Sequence, residues 1–151
     1  MLGVFGELGM FNIGIGSAMP FQYIGLCTDI TSKVNEQIET DDMDGIVLSD
    51  AMFTMNKVNY YGYFINFRDR NVIRPYTQGI KLGLAFRDAL PTLFDITKVS
   101  ENNKSMFIKA VGSEELYNAI MKKASREYVL KIAQKGVDEF IEMRKKYLLY
   151  D

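Results

Sequence analysis

The spacing of apolar residues predicts three helical regions. From Pro20, apolar side chains recur at steps of four, three, four and four residues, which predicts an amphipathic helix over about 20–39. Its apolar face consists of Tyr23, Cys27, Ile30, Val34 and Ile38. A wide apolar face also predicts a helix over 77–90, which Pro91 ends. The C-terminal stretch 114–148 predicts helix throughout, with Ser125 and Gly136 as candidate break points.

Two other segments have the composition of β-strands. Residues 58–67 are rich in Tyr, Phe, Val and Ile, which favours a strand or hairpin, with a buried aromatic helix as the alternative. A second candidate strand, 106–111, follows a polar loop predicted over 98–105. Before them, Ser49 or Asp50 could cap a short helix over 50–57. The sequence therefore predicts a helix-dominated α+β domain with a small sheet or hairpin near 58–67 and 106–111, with an all-α domain as the alternative.

The first 19 residues follow no sustained helical period, because glycines interrupt their large apolar side chains. Burying those side chains would contribute roughly 14–27 kcal/mol, whereas ordering the backbone costs on the order of 20–40 kcal/mol. We therefore expect an N-terminal arm over 1–19 that needs a groove on its own domain or on a partner. Residues 20–151 would form the globular domain, ending in a long helix. The interface residues predicted in the arm are Leu2, Phe5, Leu8, Phe11 and Ile13.

Composition limits the chemistry available to the chain. Its 151 residues, 48% of them hydrophobic, suit one domain with its own core. There is no histidine, which excludes Ser-His-Asp and Cys-His catalysis and the histidine-containing zinc sites. Cys27 is the one cysteine, so no disulfide can form within the chain, and its place on the predicted apolar face indicates a core thiol. The sequence predicts no cofactor, no metal site and no catalytic residue.

Charge is unevenly distributed along the chain. Residues 1–50 contain eight acids and one base (−7), and residues 51–151 contain seventeen bases and eleven acids (+6). Unless the two parts intermingle, a subunit with one acidic and one basic side could associate head to tail. The chain shows neither the basic start of a secretory signal nor a membrane-spanning stretch, which predicts no membrane contact and cytoplasmic residence, alone or in a particle assembled there.

An aromatic and basic cluster runs from Tyr60 to Arg74. It fits a protein interface, an aromatic core followed by a solvated turn, or a surface for single-stranded nucleic acid. The sequence pI of about 5.6 argues against a dedicated nucleic-acid binder. The interface residues predicted in this cluster are Tyr61, Tyr63, Arg68, Arg70 and Arg74.

An acidic turn contains Asp41, Asp42 and Asp44. Its spacing resembles a calcium loop only faintly, because Ala51 falls where a bidentate glutamate is required. A solvated turn is the simpler interpretation, and a loose Mg²⁺ site is the alternative.

These observations predict a non-enzymatic structural or adaptor subunit of an oligomeric assembly, for example a component of a virion neck or connector ring. Its partners would be copies of itself or other protein subunits, with no small-molecule substrate. The alternatives are a nucleic-acid-associated protein that uses the Tyr60–Arg74 cluster and a Mg²⁺-dependent enzyme that uses the aspartate turn.

Overall fold

A three-stranded antiparallel sheet, in the order β1-β3-β2, packs against a set of helices in a computed structural model that describes residues 2–38 and 43–149. This architecture confirms the predicted helix-dominated α+β class. In chain order the elements are α1 (Gly3–Gly6), β1 (Tyr23–Leu26), α2 (Thr31–Asn35), β2 (Ile46–Met55), β3 (Val58–Phe67), α3 (Pro75–Ala89), a 3₁₀ helix (Ile96–Lys98), α4 (Glu101–Val111), α5 (Glu114–Met121), α6 (Arg126–Ala133) and α7 (Val137–Arg144). Within the described ranges, no helix has the length and apolar character needed to cross a membrane.

Strands β2 and β3 form a hairpin in which Ile46 pairs with Phe67 and Met55 pairs with Val58. Asn56 and Lys57 form the two-residue turn, with φ angles of 50° and 65°. Positive φ at both positions matches the twist of the flanking strands, which is why such turns are favoured in hairpins. The strand over 58–67 is confirmed. The helix predicted over 50–57 is wrong, because residues 50–55 belong to β2 and pair with β3, and Asn56 and Lys57 form the turn.

The helix predicted over 20–39 is also wrong: its place is taken by β1 and the short helix α2. Strand β1 pairs with β3 so that Gly25 lies opposite Gly62. A Cβ atom on Gly62 would collide with the backbone oxygen of Ile24, so the close approach of the two strands requires glycine there. Cys27 follows β1 and is exposed, which corrects its assignment to the core.

Helix α4 replaces most of the loop predicted over 98–105 and all of the strand predicted over 106–111. Ser100 caps it, with its hydroxyl accepting a hydrogen bond from the Asn103 backbone N–H. Phe107 and Val111 lie four residues apart, so they share the buried face of the helix. Gly112 ends the helix at a φ of 75°.

The C-terminal region is helical, as predicted, and it breaks at both candidate points. The Ser125 side chain caps α6, and Gly136, with a φ of 78°, precedes α7. The single long C-terminal helix is therefore replaced by three helices of eight residues each. Helix α3 confirms the helix predicted over 77–90 and begins with Pro75 in its first turn.

The N-terminal segment contributes to the core of its own domain. Leu2, Phe5, Leu8, Phe11 and Ile13 are all buried, with 1–7% of their surface exposed. The Phe5 ring meets the rings of Phe11 and Phe107 edge to face, at centroid distances of 6.2 and 5.7 Å. The arm was expected to lie in a groove either on its own domain or on a partner, and in the structure it lies on its own domain. Helices α3 and α4, which lie at least 60 positions further along the chain, supply apolar contacts that the energy estimate for the isolated segment left out.

Candidate functional site

A cleft of about 270 Å³ lies where the end of β1 meets the middle of the hairpin. Asp29 and Thr31 line it from the segment after β1, Asp50 and Met52 from β2, and Tyr61 from β3. We call it the aspartate cleft. Asp50 pairs with Tyr63, and Met52 pairs with Tyr61. Because directly paired residues point to the same side of a sheet, Asp50, Met52 and Tyr61 share the face on which Tyr63 is buried.

Asp29 is held by the residue two positions later. Its Oδ1 accepts hydrogen bonds from the Thr31 backbone N–H at 3.1 Å and from the Thr31 hydroxyl at 2.7 Å. These hydrogen bonds lower the pKa of the Asp29 carboxyl, which keeps it ionised in neutral solution. Asp95 accepts the same two bonds from Thr97, and its pKa is lowered in the same way. The Asp-x-Thr motif alone therefore does not identify a functional site. Asp29 differs from Asp95 because it lines a cleft together with Asp50.

Tyr63 connects the aspartate cleft to the core, through a contact with Thr31, one of the lining residues. Its hydroxyl donates a hydrogen bond to Asn35 Oδ1 at 2.7 Å and lies 3.1 Å from the carbonyl oxygen of Thr31. Burial, together with the negative charges of Asp50 and Asp29, raises the pKa of the Tyr63 hydroxyl. Both carboxylates therefore act on the same buried group from the side of the cleft. The hydroxyl also ties α2 to β3, which sets the position of Asp29 relative to Asp50.

Replacing Tyr63 by phenylalanine is expected to lower the free energy of unfolding by about 0.5–1.5 kcal/mol, because the partly buried hydrogen bonds of its hydroxyl to Asn35 Oδ1 and the Thr31 carbonyl would be lost. Urea denaturation of both proteins measures the change. Tyr128→Phe is the control, since Tyr128 is 50% exposed and water can replace any bond it loses. Equal stability of wild type and Tyr63→Phe would show that the hydroxyl does not anchor α2.

The structure separates the residues of the predicted aromatic and basic interface. Tyr61 is half-buried in the aspartate cleft and Tyr63 is fully buried. Arg68, Arg70 and Arg74 are exposed in and after the segment that leaves β3. The Arg74 guanidinium donates to the backbone carbonyls of its own loop, at 3.2 and 3.3 Å. The five residues therefore do not form one surface, and binding of another protein subunit by the arginines stays a prediction.

The acidic turn lies partly outside the described residues, which exclude Asp41 and Asp42. Within the described ranges, no group of three or more histidine, cysteine, aspartate or glutamate side chains could hold a metal ion.

Sequence reasoning missed that Asp29 and Asp50 line the same cleft. Two signals were available in the sequence. One was the Asp-x-Thr motif at 29–31, and the other was Asp50, an acid beside an apolar stretch, which was assigned as a possible helix cap. The two carboxylates are 21 positions apart, and they share a cleft only because both β1 and β2 pair with β3.

Comparison with known proteins gives a family and a fold. Residues 1–150 match the family described as exo-beta-N-acetylmuramidase NamZ, C-terminal. No curated protein matches the sequence. The crystal structure of a DUF1343 family protein from Bacteroides fragilis has the same fold, with a TM-score of 0.84 and 20% sequence identity. The alignment covers 99% of this chain and 40% of that one, so the chain spans less than half the length of that protein.

Proposed function

Because this chain belongs to the family of C-terminal domains of the exo-β-N-acetylmuramidase NamZ, we propose that it is the glycan-binding part of an enzyme that removes N-acetylmuramic acid from the end of a β-linked sugar chain. The observation that carries the proposal is the family match along nearly the whole chain, together with a cleft that holds two carboxylates. The family is that of a glycosidase, which favours an enzymatic setting.

Membership of this family corrects the function expected from the sequence. The prediction of a structural or adaptor subunit, such as a virion neck or connector component, is wrong. Its main physical support was an N-terminal arm that could dock on a partner subunit, and burial of Phe5 and its neighbours in the core of their own domain removes that support. The absence of histidine does not exclude a glycosidase, because glycoside hydrolysis proceeds on carboxylates alone.

The chemistry of the aspartate cleft supports a sugar ligand. Most glycosidases use a pair of carboxyl groups on either side of the scissile bond, and the transition state carries positive charge on the sugar ring. An ionised Asp29 can stabilise that charge and can accept hydrogen bonds from sugar hydroxyls. Asp50 supplies a second set of acceptor oxygens in the same cleft. The half-buried ring of Tyr61 offers an apolar wall beside them.

The test is hydrolysis of a chromogenic β-glycoside of N-acetylmuramic acid by the polypeptide that carries this domain, as it is expressed from its gene. Asp29→Asn and Asp50→Asn are each expected to lower kcat/KM roughly 10–100-fold, since each removes a negative charge near the transition state. Their melting temperatures should stay close to that of wild type, because both side chains are exposed.

Asp95→Asn is the matched control, because Asp95 makes the same two hydrogen bonds to a threonine but lies outside the aspartate cleft. It should leave kcat/KM unchanged. If both cleft variants hydrolysed the substrate at the wild-type rate, the aspartate cleft would have no role in the reaction. If the wild-type polypeptide did not hydrolyse the substrate, the proposed activity would be refuted.

A further inference from the structure

A second cleft, of about 360 Å³, lies between the N-terminal segment and the loop that leads into β1. Glu7, Asn12, Ile15 and Phe21 are among its lining residues. We call it the Phe21 cleft. It combines an aromatic ring, a carboxylate and an amide, which is the mixture of apolar wall and few polar groups found in ligand pockets.

Phe21 has a backbone conformation that costs energy. Its φ angle is 65°, a region that bulky side chains rarely adopt because the Cβ atom crowds the backbone. Three other non-glycine residues of the described chain have positive φ, and each has a local role: Asn56 and Lys57 make the hairpin turn, and Lys123 follows the end of α5. Phe21 is the one aromatic residue among them.

Burial does not compensate this cost, because 52% of the Phe21 surface is exposed. The surrounding loop nevertheless holds the residue in place. The Phe21 backbone N–H donates to the Ile13 carbonyl at 2.9 Å, Asn12 Oδ1 accepts from the Gly14 N–H at 2.8 Å, and the Ser17 hydroxyl donates to the Gly14 carbonyl at 2.7 Å. Burial of the exposed Phe21 side chain does not explain this strained backbone, and strained residues of this kind cluster at functional sites.

We propose that Phe21 is a stacking platform for a neutral N-acetylglucosamine unit, an inference that rests on the proposed glycan-binding function. One face of a pyranose ring presents C–H bonds, which pack against the electron-rich face of an aromatic ring. Glu7 and Asn12 supply a carboxylate and an amide for the sugar's hydroxyl and N-acetyl groups.

Charge selects the neutral sugar. Glu7 lines the cleft and places the negative field of a carboxylate at the site. N-acetylmuramic acid has a lactyl carboxylate that this field would repel, whereas N-acetylglucosamine has no charge.

The two clefts are close enough for one sugar chain to occupy both. Asn12 of the Phe21 cleft pairs with Gly25 of β1, and Asp29 of the aspartate cleft is four residues further along. Four extended residues span at most about 14 Å, and directly paired residues lie about 5 Å apart. The two sites are therefore within a few sugar units of each other.

Calorimetric titration of the chain with chitotriose, a neutral β-1,4-linked trimer of N-acetylglucosamine, tests the inference. Phe21→Gly is expected to weaken binding at least tenfold and to leave the melting temperature unchanged or raised by about 2–4 °C, because glycine relieves the strain. Phe21→Trp should bind within threefold of wild type, since it keeps an aromatic face. N-acetylmuramic acid should compete more weakly than N-acetylglucosamine.

Lys57→Gly is the matched control: Lys57 has the same φ of 65° but lies in the hairpin turn, so this variant should gain stability and bind chitotriose as wild type does. Absence of chitotriose binding by wild type, equal binding by Phe21→Gly, a clear fall in its melting temperature or equal competition by N-acetylmuramic acid would each overturn the inference. Failure of the muramidase assay with chitotriose still bound through Phe21 would refute only the enzymatic proposal.

Discussion

Phe5→Ala is expected to lower the free energy of unfolding by about 3–5 kcal/mol, the cost usual for removing a buried aromatic ring. Phe5 is 1% exposed and contacts the rings of Phe11 and Phe107. A domain of this kind has about 5–15 kcal/mol of stability in total, so the loss would bring the variant close to unfolding. Urea denaturation measures the change. Phe140→Ala is the control, because Phe140 is 54% exposed on α7 and should cost far less.

Gly83 provides an independent check on the position of the Phe5 ring. A Cβ atom on Gly83 would overlap with that ring, so Gly83→Ala should cost about 1–3 kcal/mol through overpacking. In a Phe5→Ala background the ring is gone, and the second substitution should cost much less. Additive effects of the two substitutions would show that the N-terminal segment does not pack on α3.

The second large effect is expected at Asp88, which joins two arginines. Its Oδ1 lies 2.7 Å from Arg87 Nε, and its Oδ2 lies 2.7 Å from Arg126 Nε. The arginines also donate to the carbonyls of Ala124 and Gln37, so the network holds α3, α6 and the segment after α2 together. Asp88→Asn should cost roughly 3 kcal/mol, the low end of the range for breaking a buried ion pair, because the Arg87 side chain is only 4% exposed.

The contribution of Asp88 should depend on pH. Partial burial alone would raise the pKa of its carboxyl, but the hydrogen bonds and charges of Arg87 and Arg126 outweigh burial and lower it. A carboxyl whose pKa is lower in the folded state stabilises the fold above its unfolded pKa of about 3.9, and this stabilisation is lost as the pH falls through the folded pKa. The difference in melting temperature between wild type and Asp88→Asn should therefore be constant near neutrality and shrink below about pH 4.

Glu142→Gln is the control for this experiment. Glu142 pairs with Lys145 at 2.6 Å, but both side chains are at least 60% exposed. A surface pair of this kind contributes at most about 1 kcal/mol. If Asp88→Asn destabilised the protein no more than Glu142→Gln, the buried network would have no special role.

Local signals account for the elements that the sequence predicted correctly. Helix α3 has Pro75 in its first turn, and the C-terminal helices start at Ser113 and Ser125, whose hydroxyls accept from backbone N–H groups three residues later. Each signal acts within one helical turn, so it can be recognised without knowing the fold. The same kind of signal at Ser100 was available for α4 but was overlooked in favour of a polar loop.

The sequence by itself determined the helix-dominated class, the hairpin strand over 58–67, the breaks at Ser125 and Gly136, and the exclusion of histidine chemistry. Tertiary structure alone decided that 20–39 contains a strand, that Phe5 belongs to the core, that Asp29 and Asp50 line one cleft, and that Phe21 is held in a strained conformation. The physical reason is range: caps and turns depend on residues a few positions apart, whereas strand pairing, burial and clefts depend on contacts between distant segments, whose energy no local pattern contains.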